Sequence, residues 1–289
     1  MSLGQVIVLA VVQGLAELLP ISSSAHVVVA EKLMGLNPSS PQMTLLLVML
    51  HTGTMFAVIL YFWKQWQKAF FRSAVVFKQA AWQLILATAA TGIVGEALIK
   101  LIEKLWFHNA PHSEVEQLFG HLELIAPALA LAGILILVAG MYEKRSSSWG
   151  AAAENEMDTK QAGLIGAVQG LCLPFRGFSR SGATISTGML AGVAKMRAEQ
   201  FSFALAVILT PPVVAREVLR LIKAEHLAGG ASLGLAMAPS LLGALFAFLA
   251  GLLALKWLSQ WLERGRWYLF GIYCLCAAVA VAVLHRIGY

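Results

Sequence analysis

The sequence predicts an all-α polytopic membrane protein with inverted-topology repeats, built from about six transmembrane helices and two re-entrant helical hairpins. Three observations carry this prediction. Of the 289 residues, 59% are hydrophobic and 12% charged, with a mean hydropathy of +0.75, whereas a soluble domain carries roughly twice that charge. Several apolar runs reach the length of about 20 residues that a helix needs to cross a bilayer. Finally, Val12-Gln13-Gly14-Leu15 returns as Val168-Gln169-Gly170-Leu171, and each copy leads into a proline and a serine-rich polar turn.

In chain order, residues 6–19 form an apolar stretch that stops at Pro20 and is followed by a polar turn and a second short apolar piece. This reads as a re-entrant hairpin over about residues 3–35, because irregular backbone at membrane depth is tolerated only where protein or a wet cavity covers it. No basic n-region or small-residue cleavage site precedes the polar turn, so no removable signal peptide is read here. Full spans are predicted over 43–63, 82–101 and 122–142. The 162–173 stretch stops at Pro174 and predicts a second re-entrant hairpin over about 160–195, followed by spans over 201–222, 236–257 and 267–285.

The whole chain, 1–289, therefore reads as one membrane domain with a first repeat half over 1–110 and a second over 155–289. The echo extends beyond the hairpins, since Thr44 to Thr52 can be laid against Ser202 to Thr210 at nearly the same offset. Ordered matches at nearly one offset point to duplication.

Basic residues set the expected orientation. Lys64, Lys68, Arg72 and Lys78 follow the first full span with no acidic residue among them, which marks a cytoplasmic loop. The next loop then lies outside and carries Glu103, Glu114 and Glu116 against Lys104, while Lys144, Arg145, Lys256, Arg264 and Arg266 fall inside. The first hairpin opens to the exterior on this count and the second enters from the cytoplasm, as an inverted repeat requires. The net charge of +6 and pI near 9.3 sit in juxtamembrane loops, so anionic lipid, and not nucleic acid, is the expected partner. Cys172, Cys274 and Cys276 lie in apolar segments without metal-ligand spacing and read as small core residues.

Ionisable groups at membrane depth cost about 2.5–3.5 kcal/mol each on insertion scales and need a partner or a water-filled cavity. Glu17, His26, Arg176, Arg180, Arg216 and Glu217 fall in this class. Gln13 and Glu17 are four apart and share a helix face. Gln13 reads equally as interhelical glue or as part of a site; Glu17, just before Pro20 and Ser22-Ser23-Ser24, reads as functional. The serine run is also a natural helix N-cap, and it sets His26 on the first helical turn three residues after Ser23. Hydroxyl, imidazole and carboxylate together make an activated nucleophile with an orienting group.

The second motif, Gly177-Phe178-Ser179-Arg180-Ser181-Gly182-Ala183-Thr184, combines glycines, hydroxyls and a guanidinium just before an apolar helix. Backbone N–H groups at a helix start, hydroxyl donors and an arginine fork suit a phosphate cradle; the alternative is a flexible turn with a snorkelling arginine. His51, beside Thr52, Gly53 and Thr54, either lines the cavity or satisfies a neighbouring helix. Arg216 and Glu217 read as structural. His108, His112 and His121 are unevenly spaced in a loop that also holds acids, and read as solvated.

At Gln13-x3-Glu17, Pro20-x-Ser22-Ser23-Ser24-x-His26 and Gly177-x-Ser179-Arg180-Ser181-Gly182-Ala183-Thr184 the chain resembles the undecaprenyl-pyrophosphate phosphatase family, the bacitracin-resistance type of lipid phosphatase. The resemblance implies inverted repeats with two re-entrant hairpins, residence in the bacterial cytoplasmic (inner) membrane with a site open to the exterior, and dephosphorylation of a C55 polyprenyl diphosphate to the monophosphate. It also implies a divalent metal, Mg²⁺ or Ca²⁺, with polyprenyl diphosphate and membrane lipids as partners and a homodimer allowed. Three departures stand out: Gln13 where many members have Glu, Ala25 where Gly is common, and Arg176 where the second motif usually has Pro before Gly.

On this reading Ser23, His26, Glu17 and Arg180 are catalytic. Ser22, Ser24, Ser179, Ser181, Gly182 and Thr184 bind substrate, and Glu17 with Gln13 and the substrate's own oxygens holds the metal. The nucleophile is either Ser23, with His26 as base, or His26 itself. A transporter or flippase for a phosphorylated lipid or anion is the alternative, since inverted repeats and broken helices are transporter features; a catalytically dead receptor is a third reading, raised by Gln13 and Arg176.

Overall fold

The computed structural model describes residues 1–37, 40–106, 122–146, 157–228 and 233–288. Those residues form helices and their connections, with no strand among them. In order the helices are α1 (Leu3–Leu18), α2 (Ser23–Leu33), α3 (Pro41–Phe70), α4 (Ala74–Trp106), α5 (Leu122–Ser146), α6 (Thr159–Cys172), α7 (Arg180–Leu190), α8 (Lys195–Ala228), α9 (Leu233–Glu263) and α10 (Tyr268–Arg286).

Six of them, α3, α4, α5, α8, α9 and α10, are long and apolar enough to cross a bilayer, and the chain is a multi-pass membrane protein. Phe56, Leu60, Ile85, Ile93, Leu245 and Val279 stand exposed along these helices, as side chains facing hydrocarbon do. Helices outrun the apolar stretches: α4 starts at Ala74 and α8 at Lys195, because a helix continues past the hydrocarbon until a cap or a glycine stops it. Pro211 and Pro212 lie inside α8 and Pro239 inside α9 without ending them, a tolerance common in transmembrane helices.

The other four helices come as two short pairs. At 16 and 11 residues for α1 and α2, and 14 and 11 for α6 and α7, none reaches the length of about 20 residues that spans a bilayer. Within each pair the two helices pack on one another. Each first helix opens with a reciprocal capping box: Ser2 with Gln5, and Asp158 with Gln161. These boxes satisfy otherwise orphaned N-terminal N–H groups. They are separated by the same number of residues as Gln13 and Gln169, so the repeated sequence carries a repeated local structure.

The chain divides into two compact units. The first comprises Met1–Leu19, Ser23–Trp63 and Ala206–Leu258. Its core gathers Val6, Leu9 and Ala10 of α1, Val27 of α2, Met43, Leu46 and Leu50 of α3, and Ala247 of α9. A Cβ on Gly14 would lie 2.6 Å from the Ala247 carbonyl oxygen, and one on Gly53 would run into the Ala244 carbonyl. Small residues at such crossings let backbones approach closely enough for dispersion to hold helices together where no hydrophobic effect operates between them.

The second unit comprises Pro20–Ser22, Lys64–Leu205 and Ser259–Tyr289. In it α4 packs on α6 and α5 on α10, again through small residues: Gly166 against Ala87, Gly170 against Thr91 and Gly133 against Gly271. Interhelical polar contacts add to this packing. Gln83 Nε2 donates to the Met157 carbonyl, Trp66 Nε1 to the Gln200 carbonyl at 3.2 Å, and the fully buried Trp267 to Ser186 Oγ at 3.0 Å.

Lys64, Lys68, Arg72 and Lys78 are exposed around the α3–α4 connection. Glu114, Glu116, His108, His112 and His121 lie outside the described residues.

Candidate functional site

In the first unit, polar groups converge on one atom, Oε2 of Glu17. Gln13, one turn earlier on α1, is buried and donates its amide Nε2 at 3.2 Å. Ser23, which opens α2, donates its hydroxyl at 2.5 Å. His51 on α3 brings Nε2 to 3.8 Å of the same oxygen. The approach follows from local structure. α1 stops at Leu18, Leu19 is extended with its N–H bonded back to the Leu15 carbonyl, and the Pro20-Ile21-Ser22 turn returns the chain to α2.

Ser22 makes that return with φ +69°. A non-glycine residue in this left-handed region carries about 1–3 kcal/mol of strain and persists where its surroundings over-determine it. Ser24 and His26 follow on the first turn of α2, both partly buried.

In the second unit, α6 ends at Cys172 and the chain turns through Gly177. Gly177 has φ +103°, and a Cβ there would sit 2.5 Å from the Ile125 carbonyl oxygen. Conformation and space both demand glycine here. Ser179 then caps α7, its Oγ accepting from Gly182 N–H at 3.2 Å, and Arg180 occupies the first helical position, partly buried. Ser179 and Ser181 are both buried.

Thr184 is turned wholly inward: its hydroxyl donates to the Arg180 carbonyl at 2.8 Å or shares a proton with Ser202 Oγ at 2.6 Å. The Pro20–Ser22 turn of the first motif belongs to this same unit. The Pro20 carbonyl oxygen lies 3.2 Å from where a Cβ on Gly182 would stand, so within this unit the Pro20–Ser22 turn adjoins the start of α7.

The expected site residues therefore gather in two groups: Gln13, Glu17 and Ser23, and, within the second unit, Ser179, Gly182 and Thr184 beside the turn that holds Ser22. Arg176 is partly buried ahead of Gly177, and Arg216 is exposed on α8. Two contributions had gone unassigned. Ser202, fully buried, fastens Thr184; the repeat register that aligns it with Thr44 was its signal. The pair of capping boxes was legible as Ser2-x-x-Gln5 and Asp158-x-x-Gln161.

The Glu17 cluster offers one carboxylate with nearby hydroxyl and amide groups, a donor set that would suit a hard divalent cation taking its remaining oxygens from phosphate and water. Among the described residues no three His, Cys, Asp or Glu side chains converge, so the fit is to a shared ion and not to an all-protein cage.

Residues 6–280 match the family model described as bacitracin resistance protein BacA. The chain is 55% identical over 287 residues, 98% of each chain, to a protein of Acinetobacter baylyi named undecaprenyl-diphosphatase 2. It is 35% identical over 290 residues to the undecaprenyl-diphosphatase 2 of Burkholderia orbicola, and 33% identical over 290 residues to the undecaprenyl-diphosphatase 1 of Burkholderia pseudomallei, in both cases across 96% of this chain and 95% of the relative.

Proposed function

The chain belongs to the bacitracin resistance protein BacA family, and we propose on that premise that it hydrolyses undecaprenyl diphosphate to undecaprenyl phosphate and inorganic phosphate, recycling the lipid carrier for cell-wall synthesis. The near-complete match to a protein named undecaprenyl-diphosphatase carries this reading. The convergence of an amide, a hydroxyl and an imidazole on Glu17 supplies its chemistry.

Cleaving a phosphoanhydride requires an aligned nucleophile and stabilisation of the charge on the transferring phosphoryl group. Ser23 and Glu17 supply the first requirement on one route: Ser23 Oγ attacks the terminal phosphorus, its proton passes to Glu17 or to His26, and the P–O bond to undecaprenyl phosphate breaks. Water then releases phosphate from the seryl ester. On the other route a ring nitrogen of His26 attacks the terminal phosphorus directly, the same P–O bond to undecaprenyl phosphate breaks, and water then releases phosphate from the phosphohistidine. Arg180, with a fork that matches phosphate oxygens, and the hydroxyls of Ser22, Ser24, Ser179 and Ser181 hold the diphosphate, while Gly182 and Thr184 shape the start of α7.

Mg²⁺ or Ca²⁺, held by Glu17 with the help of Gln13 and the substrate's oxygens, would neutralise charge on the diphosphate. The paired capping boxes and the short broken helices support α1–α2 and α6–α7 as re-entrant hairpins of an inverted repeat. The exposed basic cluster at Lys64, Lys68, Arg72 and Lys78 supports a cytoplasmic α3–α4 connection, which leaves the first hairpin open to the periplasm of an inner-membrane enzyme.

Phosphate release from a polyprenyl diphosphate by the purified chain in detergent, with and without Mg²⁺ or Ca²⁺, tests the proposal beside Arg180→Ala and His26→Ala. Metal-dependent release that both substitutions abolish is the expected result, and would mean that both motifs serve one reaction. No release from well-folded protein under any metal refutes it.

A further inference from the structure

The second hairpin holds a buried amide that the reaction above leaves unused. Gln169 of α6 is 2% exposed, and its Oε1 meets no hydrogen-bond donor among the described residues. A buried acceptor without a donor is costly, and native chains keep one mainly where a ligand, an ion or water completes it. Gln169 is the repeat counterpart of Gln13. Gln13 donates Nε2 to the Glu17 carboxylate one turn later, whereas one turn after Gln169 stands Leu173, apolar and 47% exposed. The first copy carries its own anion at that spacing, and the second has none.

Three contacts within the second unit fix where Gln169 lies along α7. Gln161 Nε2 donates to the Ala191 carbonyl at 2.9 Å. Ile165 Cδ1 is 3.3 Å from where a Cβ on Gly188 would stand. Cys172 lies close enough to Arg180 for the guanidinium charge to act on its thiol. The two helices therefore run antiparallel, and each turn gained along α6 is a turn back along α7. Gln169 shares the face of Ile165 and Cys172, so it falls opposite residues 183–184, one turn from Arg180 and Ser181. The amide thus stands beside the start of α7, where backbone N–H groups and a guanidinium already favour an anion.

We propose that Gln169 binds the diphosphate directly: Nε2 donates to a phosphate oxygen, as Gln13 Nε2 does to Glu17, and Oε1 accepts from Arg180. The guanidinium keeps its other N–H groups for the same phosphate, so the amide and the arginine hold one group between them. This inference rests on the phosphatase reading for its ligand, and its test is independent of turnover.

The probe is a non-hydrolysable polyprenyl methylenediphosphonate titrated into the full chain in detergent, with Tm recorded on the same samples. Gln169→Met keeps the length and nearly the volume of the side chain and removes both polar ends. Binding is expected to weaken at least about tenfold, the range of a hydrogen bond to a charged group. Tm without the probe is expected not to fall, because the substitution deletes a buried acceptor that had no donor. A purely structural amide would give the reverse, a lowered Tm with unchanged affinity in the folded protein. Combining Gln169→Met with Arg180→Lys is expected to cost less than the two separate losses multiplied, since the two residues share one phosphate. Gln169→Asn, which withdraws the amide by one methylene, is expected to weaken binding likewise and serves should Gln169→Met not fold. Unchanged affinity in the folded variant overturns the assignment. Phosphate release from polyprenyl diphosphate by the unsubstituted chain separates the two readings: release together with unchanged affinity in the variant removes only the Gln169 role, whereas neither release nor probe binding removes the phosphatase itself and the Gln169 role with it.

Discussion

The hydroxyl of Ser23, at the start of α2, lies 2.5 Å from Oε2 of Glu17, near the end of α1, and donates to it. A carboxylate in this position is placed to accept a proton from the serine and to orient its oxygen. If Ser23 is the nucleophile, Ser23→Ala lowers kcat for phosphate release by at least about 100-fold, the range a positioned base contributes, with folding unchanged. Residual turnover near the unsubstituted rate assigns the attack to His26.

Glu17→Gln keeps the shape of the side chain and removes its charge. On the proposed roles of Glu17 the substitution removes both proton acceptance and cation binding, so the variant is expected to be as slow as Ser23→Ala at any Mg²⁺ or Ca²⁺ concentration. Combining the two substitutions is expected to cost little more than either alone, because groups acting as a unit are strongly non-additive. Single-turnover phosphate release measured for the three variants checks this.

Arg180→Lys keeps a positive charge but loses the planar fork that meets two phosphate oxygens at once. The variant is expected to lose at least about tenfold in kcat/KM, and Arg180→Ala more. Recovery of full activity by lysine would reduce the role of Arg180 to charge alone.

Thr184→Val deletes the hydroxyl that lies 2.6 Å from Ser202 Oγ and strands Ser202, fully buried, among apolar atoms. An unsatisfied buried hydroxyl costs about 1–3 kcal/mol, so the apparent Tm in detergent falls. Adding Ser202→Ala removes the stranded group and is expected to recover part of the loss, a coupling that a double-mutant cycle measures directly.

Gly177→Ala meets two obstacles, a backbone at φ +103° and the Ile125 carbonyl oxygen 2.5 Å from the new Cβ. The expected cost is at least about 1 kcal/mol, read as a lowered Tm. The activity of the surviving folded fraction is expected to fall too, because this turn delivers Ser179 and Arg180 to the start of α7.

The membrane class, the positions of the six long apolar helices, the two breaks at Pro20 and Pro174, and the residue types that cluster at them were all legible in the residue order. These properties are local: hydropathy over a window of about 20 residues measures transfer into lipid, a proline removes a backbone donor wherever it stands, and a repeated string is visible without a fold. Family membership was legible for the same reason, since its motifs are short and continuous.

Which atoms meet depends on the packed fold. Ser23 and His26 share the first turn of α2, yet the hydroxyl of Ser23 reaches back to Glu17 on α1. Thr184, placed by its motif among the phosphate donors, points inward to Ser202. His51, ambiguous in sequence, faces Glu17 because the packing of α1 and α3 around Leu9, Leu46 and Leu50 sets their register. Where a side chain points depends on the rotation of its helix against its neighbours, and that rotation is fixed by packing between residues far apart in the chain.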